Sequence, residues 1–225
     1  MLPVGFIVGL ASEARLLQGL PGVAVACSGA SAERARTLTA ELLDAGCAAL
    51  VSFGLAGGLD PALPSGALCL PGAVLTAAGT RLPVDTDWRE RLLARIGGMQ
   101  DPSPLLMGRD EPVATPEQKR ELFALTGAAA IDMESHAVAE VAARRDVPFL
   151  VIRAIADPAD RRLPPWLGSV IGADGRPLPA ALLGGLARNP ADLVALIRLA
   201  GDARRGLRTL RGVAAGARPL LAFRV

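Results

Sequence analysis

The 225-residue chain has no tyrosine, one histidine and one lysine, Lys119, among 24 basic side chains. These scarcities exclude chemistry before any motif is sought. With one histidine and three cysteines, Cys27, Cys47 and Cys69, far apart in apolar surroundings, no zinc-ligand spacing exists. Cysteines odd in number read as reduced core thiols of a cytoplasmic protein. A net charge of only +2 leaves no basic footprint for nucleic acid. The longest uncharged stretch, 61–80, is interrupted by Pro61, Pro64, Gly66, Pro71, Gly72 and Gly79, so it cannot run as a membrane-spanning helix. The opening MLPVGFIVGL carries neither a basic leader nor a small-residue cleavage site and reads as a core strand. The following GLASEA lacks the glycine spacing that cradles a dinucleotide pyrophosphate. No G-x-S-x-G elbow occurs, and His136 has no matched nucleophile, which argues against a serine hydrolase.

What is present is a hydrophobic content of 51%, enough for a sizeable core in one domain. Short apolar runs at 4–10, 23–27, 48–53, 128–133 and 149–155 read as strands, with bent extended structure at 67–76. Helix-period segments fall between them: 12–17 behind Ser12, 32–45 capped by Ser31, 89–96, 117–125 after Thr115-Pro116, 134–145, 182–186 and 191–199. This alternation predicts an α/β sandwich with a largely parallel or mixed sheet.

Two acids interrupt the apolar stretch AIDMESHA, residues 130–137. In a helix begun at Glu134, that residue shares a face with Ala137, Val138, Val141 and Ala142. Ser135, Glu140, Arg144 and Arg145 face elsewhere, with Glu140 and Arg144 spaced to pair. Glu134 alone could be a structural acid favoured by the helix dipole. The next strand adds to it. Arg153 stands inside an apolar run, and a buried guanidinium needs an anion. Asp157 ends the run, where α/β sheets bind ligands. Ser28-Gly29, Gly54–Gly58 and Glu13 also follow strands, so five strand ends can converge on one cleft.

Four blocks, GLASEARLL, CSGASAERA, VSFGLAGGLDP and AIDMESHAVAEVAARRDVPFLVIRAIADPAD, together resemble the purine nucleoside phosphorylase and nucleosidase superfamily, nearest its methylthioadenosine/S-adenosylhomocysteine nucleosidase branch. The specific block is the last: a Met-Glu pair opening a helix, then Arg-Ala-Ile-x-Asp on the following strand. The resemblance implies a single-domain three-layer αβα sandwich around a mixed sheet, spanning 1–200. It also implies cleavage of a ribosyl C–N bond. Asp157 would protonate purine N7, Glu134 would hold the ribose hydroxyls and Met133 would pack under the sugar. Glu13 would orient the attacking water, with Arg153 near that nucleophile. Gly54, Ala56, Gly57 and Gly58 would form the turn that admits the ligand, and Val113 would offer its backbone to the purine edge.

The pattern departs from the family at the turn, where Leu55 replaces a hydroxyl residue, and before the acid, where Ala156 replaces serine. The places that hold phosphate in the phosphorylases carry Ser52 and Leu55 here. Water is therefore favoured over phosphate as nucleophile, with Arg153 and Arg15 left as alternative anion partners. No cofactor is implied beyond phosphate as an alternative co-substrate. Segment 158–180, rich in Pro and Gly and carrying Trp166, reads as a lid or an apolar access wall, or else as a surface excursion. Residues 201–225 bring six arginines among Leu and Ala, either a solvated basic helix face or an amphipathic tail for peripheral contact with an inner membrane. A shared short chain, GLAGGLDP turn and AIDMESHAVA block resemble the hopanoid-associated phosphorylases. That likeness implies removal of adenine from adenosylhopane, an adenine nucleoside with a bulky apolar 5′ group. Methylthioadenosine/S-adenosylhomocysteine-type hydrolysis, general purine nucleoside phosphorolysis and a non-catalytic nucleoside sensor on the same fold remain the alternatives. The family also implies a homo-oligomer, a dimer or larger.

Overall fold

The structure, a computed structural model, describes residues 3–96 and 105–216. Its strands are β1 (Val4–Val8), β2 (Val23–Cys27), β3 (Ala49–Gly58), β4 (Leu68–Cys69), β5 (Ala73–Leu75), β6 (Arg81–Pro83), β7 (Leu105–Gly108), β8 (Ala130–Asp132) and β9 (Phe149–Asp157). Its α-helices are α1 (Ala11–Leu17), α2 (Ala32–Asp44), α3 (Thr86–Ile96), α4 (Pro116–Thr126), α5 (Ser135–Arg145), α6 (Pro179–Arg188) and α7 (Leu193–Gly216). The strands form one sheet in the order β2-β1-β3-β8-β7-β5-β6, with β9 beside β3 and β4 beside β9.

The sheet is mixed. β1 runs parallel to β2 and β3, and β3 parallel to β9, whereas β8 meets the far end of β3 antiparallel. The ten-residue β3 is the axis: its first half pairs β1 and its last two residues pair β8. The steps from β1 to β2 and from β2 to β3 go opposite ways across the sheet. Right-handed crossovers therefore put α1 and α2 on opposite faces. α2 packs with α5, and α1 with α7, giving helix, sheet and helix layers. Both β1 and β9 are buried along their whole length, as expected for strands covered on both faces.

Local signals explain the boundaries. Ser31 accepts a hydrogen bond from the Arg34 amide and starts α2. Thr115 and Gln118 form a reciprocal cap on α4, which ends at Gly127 in the left-handed region, φ 65°. α1 is different: the chain turns at Leu10, not Ser12, and the Glu13 carboxylate takes the Gly9 and Leu10 amides.

The C-terminal part departs most from expectation. The sequence pattern ends a helix at 199 and begins a separate tail at 201. Instead α7 runs unbroken through both positions to Gly216, burying Asp202, Gly206, Leu210, Val213 and Ala214 against the sheet. The helix comes so close that a Cβ on Gly206 would sit 2.6 Å from Leu55 and 3.3 Å from the Ile155 carbonyl. Its exposed Arg204, Arg205, Arg208 and Arg211 form the solvated basic face that was one of the two expectations for this segment. The rest of the tail, 217–225, lies outside the described residues.

Leu210 is fully buried. Leu210→Ala is expected to lower unfolding free energy in urea by about 2–5 kcal/mol, as for a core leucine. A change within about 0.5 kcal/mol would be the mark of a detached surface segment.

Candidate active site

The carboxyl ends of β1, β3, β8 and β9 and the turn after β2 surround one cavity of about 360 Å³, within the ~300–1,000 Å³ of small-molecule sites. Glu13, Glu134 and Asp157 all line it, as do Arg153, Met133, Ala56, Gly57 and Val113. Gly54 and Gly58 do not. Gly54 lies behind, where a Cβ would fall 2.5 Å from Arg153 Nη1 and 2.7 Å from Glu13 Oε1. Gly58 backs onto Ile155 and Pro158. Arg15 is exposed on α1 and Ser52 is buried away from the cavity, so neither is an anion partner there.

The centre of the site is Arg153, fully buried within β9. Its Nε lies 2.6 Å from Asp132 Oδ2, in charge contact though not aligned for a hydrogen bond. Its Nη2 donates to Glu134 Oε2 at 3.1 Å, Ser52 Oγ at 2.8 Å and Ser135 Oγ at 3.3 Å, and Nη1 to the Leu55 carbonyl at 3.2 Å. Burial disfavours the cation, but Asp132, Glu134 and Glu13 outweigh that and hold the guanidinium above its ordinary pKa. Asp132 also accepts the Glu134 and Ser135 amides, at 3.3 and 3.0 Å, and the Ser135 hydroxyl, so it caps α5 while balancing Arg153.

The sequence reading misplaced Ser135 and missed Asp132. Ser135 is not on the solvent face of α5 but fully buried, bonding Ser52, Asp132 and Arg153. An acid at a strand end, three residues before a helix, was the available signal for Asp132. Glu140 pairs with Arg36 of α2 at 3.0 Å, drawn there by interhelical packing. Glu134 precedes α5 and caps nothing with its side chain, which leaves that carboxylate to the cavity.

Glu13 Oε2 accepts the Gly9 and Leu10 amides at 2.9 and 2.8 Å, and Oε1 accepts the Leu55 amide at 2.8 Å. Burial still pushes its pKa up against Arg153 and these amides. Burial raises Glu134 from its ordinary 4.5 to about 7; Arg153 pulls it down, while Asp132 and Glu13 push it up. Asp157 is raised by burial and lowered by Lys119, whose ammonium lies 2.6 Å from Oδ2. Asp132, Glu134 and Glu13 thus crowd one guanidinium, and a developing cation in the cavity would relieve their repulsion. The register of β3 against β9 slips between Ala56 and Gly57, an irregularity that re-aims side chains at the strand end where Asp157 stands.

The outer wall is aliphatic. Leu163, Pro164, Pro165, Leu167, Gly168 and Ile171 of the segment after Asp157 line the cavity, joined by Leu199 and Ala203 of α7. This segment is tied down at both ends: the Leu163 amide donates to Ala114 at 2.8 Å, and the Gly175 carbonyl accepts from Ala11 at 3.0 Å. Trp166 turns away from the cavity, packing on Gly185 and donating to Asp192 at 2.8 Å.

The profile of the phosphorylase superfamily matches residues 15–168, more than half the chain. The chain belongs to the phosphorylase superfamily. No protein of the curated set matches it. Among solved structures it is similar to the 5′-methylthioadenosine/S-adenosylhomocysteine nucleosidase of Neisseria meningitidis in complex with methylthio-immucillin-A, at 19% identity and TM-score 0.72, covering 96% of this chain and 99% of that one. The corresponding nucleosidase of S. pneumoniae gives 18% identity and TM-score 0.68 over 95% and 99% of the two chains. Futalosine hydrolase of Helicobacter pylori gives 18% and 0.65 over 95% and 97%. At these identities the likeness concerns the fold.

Glu134 titrates near 4.5 when unfolded and near 7 when folded. Its stabilising contribution is therefore complete below about 4.5 and lost as pH rises through about 7. Glu134→Gln is expected to flatten the fall in melting temperature between about pH 5 and pH 8. Thermal unfolding at fixed ionic strength checks this, and a slope equal to wild type refutes it.

Proposed function

We propose that this superfamily member cleaves the ribosyl C–N bond of an adenine nucleoside bearing a bulky apolar 5′ group, with water as nucleophile, and that adenosylhopane is its substrate. The observation that carries the reading is one cavity holding Glu13, Glu134 and Asp157 beneath an aliphatic wall. In the proposed mechanism Glu134 accepts the ribose hydroxyls over Met133, and the Val113 backbone meets the purine edge. Water held by Glu13 attacks C1′ while Asp157 protonates N7. The carboxylates stabilise the oxocarbenium-like sugar; a charge pair at ~4 Å contributes about 4 kcal/mol at an effective dielectric of ~20. Phosphate is disfavoured because Arg153, the one cation among the described lining residues, is already engaged by Asp132 and Glu134.

Incubation with adenosines of increasing 5′-alkyl length, with and without phosphate, tests this. Adenine release that rises with chain length and yields free sugar is expected. Asp157→Asn is expected to cost about 10²–10⁴-fold in rate. A phosphorylated sugar would establish phosphorolysis. Preference for methylthioadenosine would establish the small-substituent alternative, and no adenine at all would leave a nucleoside-binding sensor.

The same reading has the enzyme meet its substrate on an anionic membrane. No single described helix is long and apolar enough to cross one, and α6 and the chain from Pro190 meet at 113°. The outer face of α7 begins with exposed Leu193, Val194 and Ile197 and continues with exposed Arg204, Arg208 and Arg211. The inner face of the same helix supplies Leu199 and Ala203 to the cavity wall. Apolar side chains followed by exposed arginines fit acyl chains and acidic headgroups. Co-sedimentation with phosphatidylserine vesicles but not phosphatidylcholine vesicles is expected, weakened by about tenfold or more in Ile197→Glu. A concentration-dependent dimer that vesicles do not dissociate would give this face to a second copy of the chain instead.

A further inference from the structure

Lys119, on α4, is completely buried and does not line the cavity. Its ammonium donates to Asp157 Oδ2 at 2.6 Å and to three carbonyl oxygens: Asp157 at 3.1 Å, Pro158 at 2.9 Å and Arg161 at 3.3 Å. Four acceptors around one amine nitrogen fit the protonated form, with three N–H bonds to share. A lysine that only closed the turn at 157–161 would need the carbonyls alone. This one also takes one oxygen of the acid that faces the cavity.

The surroundings of Asp157 hold few other charges. Asp202 of α7 faces it, itself paired with Arg161 at 2.9 Å and Arg205 at 2.8 Å. Gly57 of β3 packs against the carboxyl and brings no charge. Lys119 is therefore the cation in direct contact with Asp157.

We propose that Lys119 is a positioning residue for Asp157, holding its carboxyl by Oδ2 and stabilising the carboxylate left once the proton has passed to the leaving purine. The proposal rests on the glycosyl-cleavage reading above. As the C1′–N9 bond breaks, its electron pair stays on the purine and the Asp157 proton moves to N7. Water oxygen bonds C1′, and its proton goes to Glu13. Solvent then restores Asp157 and deprotonates Glu13 after the products leave. Burial alone would make Asp157 keep its proton too tightly, and the ammonium offsets that.

The kinetic test is Lys119→Met beside wild type, measuring adenine release from a 5′-alkyl adenosine across pH. With the cation gone, Asp157 holds its proton to higher pH. The alkaline limb of kcat/KM is expected to move up by about 1–3 pH units. A loss in kcat with little change in KM is expected alongside, and Lys119→Arg should keep the limb near its wild-type position. A limb unmoved in Lys119→Met overturns the proposal. The intact protein gives a second measurement that needs neither turnover nor a lysine variant. Protein labelled with ¹³Cε-lysine has one such resonance, and its shift should follow a titration step that disappears in Asp157→Asn. Identical lysine titrations in the two proteins overturn the pairing. A wild type that releases no adenine sinks the enzymatic reading, while the lysine titration still decides whether the two groups are coupled.

Discussion

A guanidinium inside a fully buried strand has to be neutralised where it lies, and much of this molecule is arranged around that requirement. Arg153 cannot reach solvent, so acids must come to it: Asp132 and Glu134 from the end of β8, and Glu13 from α1. Removing a partner from such a set leaves an uncompensated buried charge, which is strongly destabilising. The same need dictates small residues nearby. A Cβ at Gly54 would strike Arg153 and Glu13, and one at Gly9 would come within 2.7 Å of Glu134. The structural demand and the chemical one coincide here, because carboxylates gathered to balance an arginine also form the wall a cationic sugar would face.

The site has two charged ends joined by β9. At one end Arg153 carries an excess of carboxylate, so protons are held there by repulsion and burial. At the other, a single carboxylate meets a single ammonium, Asp157 with Lys119. Desolvation raises all three cavity acids, yet their partners differ, and environment rather than residue type sets apart the roles of chemically similar groups.

Much of this was legible beforehand because it is local. Ser31 and Thr115-Pro116 act within a few residues, and the Met-Glu pair and the strand-end aspartate sit in one contiguous block. The glycines at 54–58, expected to turn, instead continue β3, because β9 and β8 supply ladder partners that lie far off in the chain. Asp132 and Lys119 were harder. Asp132 stood beside Met133 and Glu134 as one of two acids in the block and was given no role of its own; its partner Arg153 lies 21 positions on. Lys119 had a signal of its own, a solitary lysine in a chain that otherwise uses arginine, but composition says nothing about where an amine points. Ser135 was misjudged because polar residues were assigned to solvent by helical period, which cannot register a buried hydrogen-bond partner; α7 was divided at 199–201 because packing against the sheet, which carries the helix through, is not a local property.

The sequence by itself determined the alternation of strands and helices, and with it the layered sheet, because hydrophobic period and caps are properties of neighbouring residues. It also determined which strand ends carry acids. Only the tertiary structure decided which acids share a cation, which hydroxyls are buried, that the last helix belongs to the core, and that an amine from α4 reaches Asp157. Those are outcomes of long-range packing, where a side chain's partner is set by crossovers and register rather than by its place along the chain.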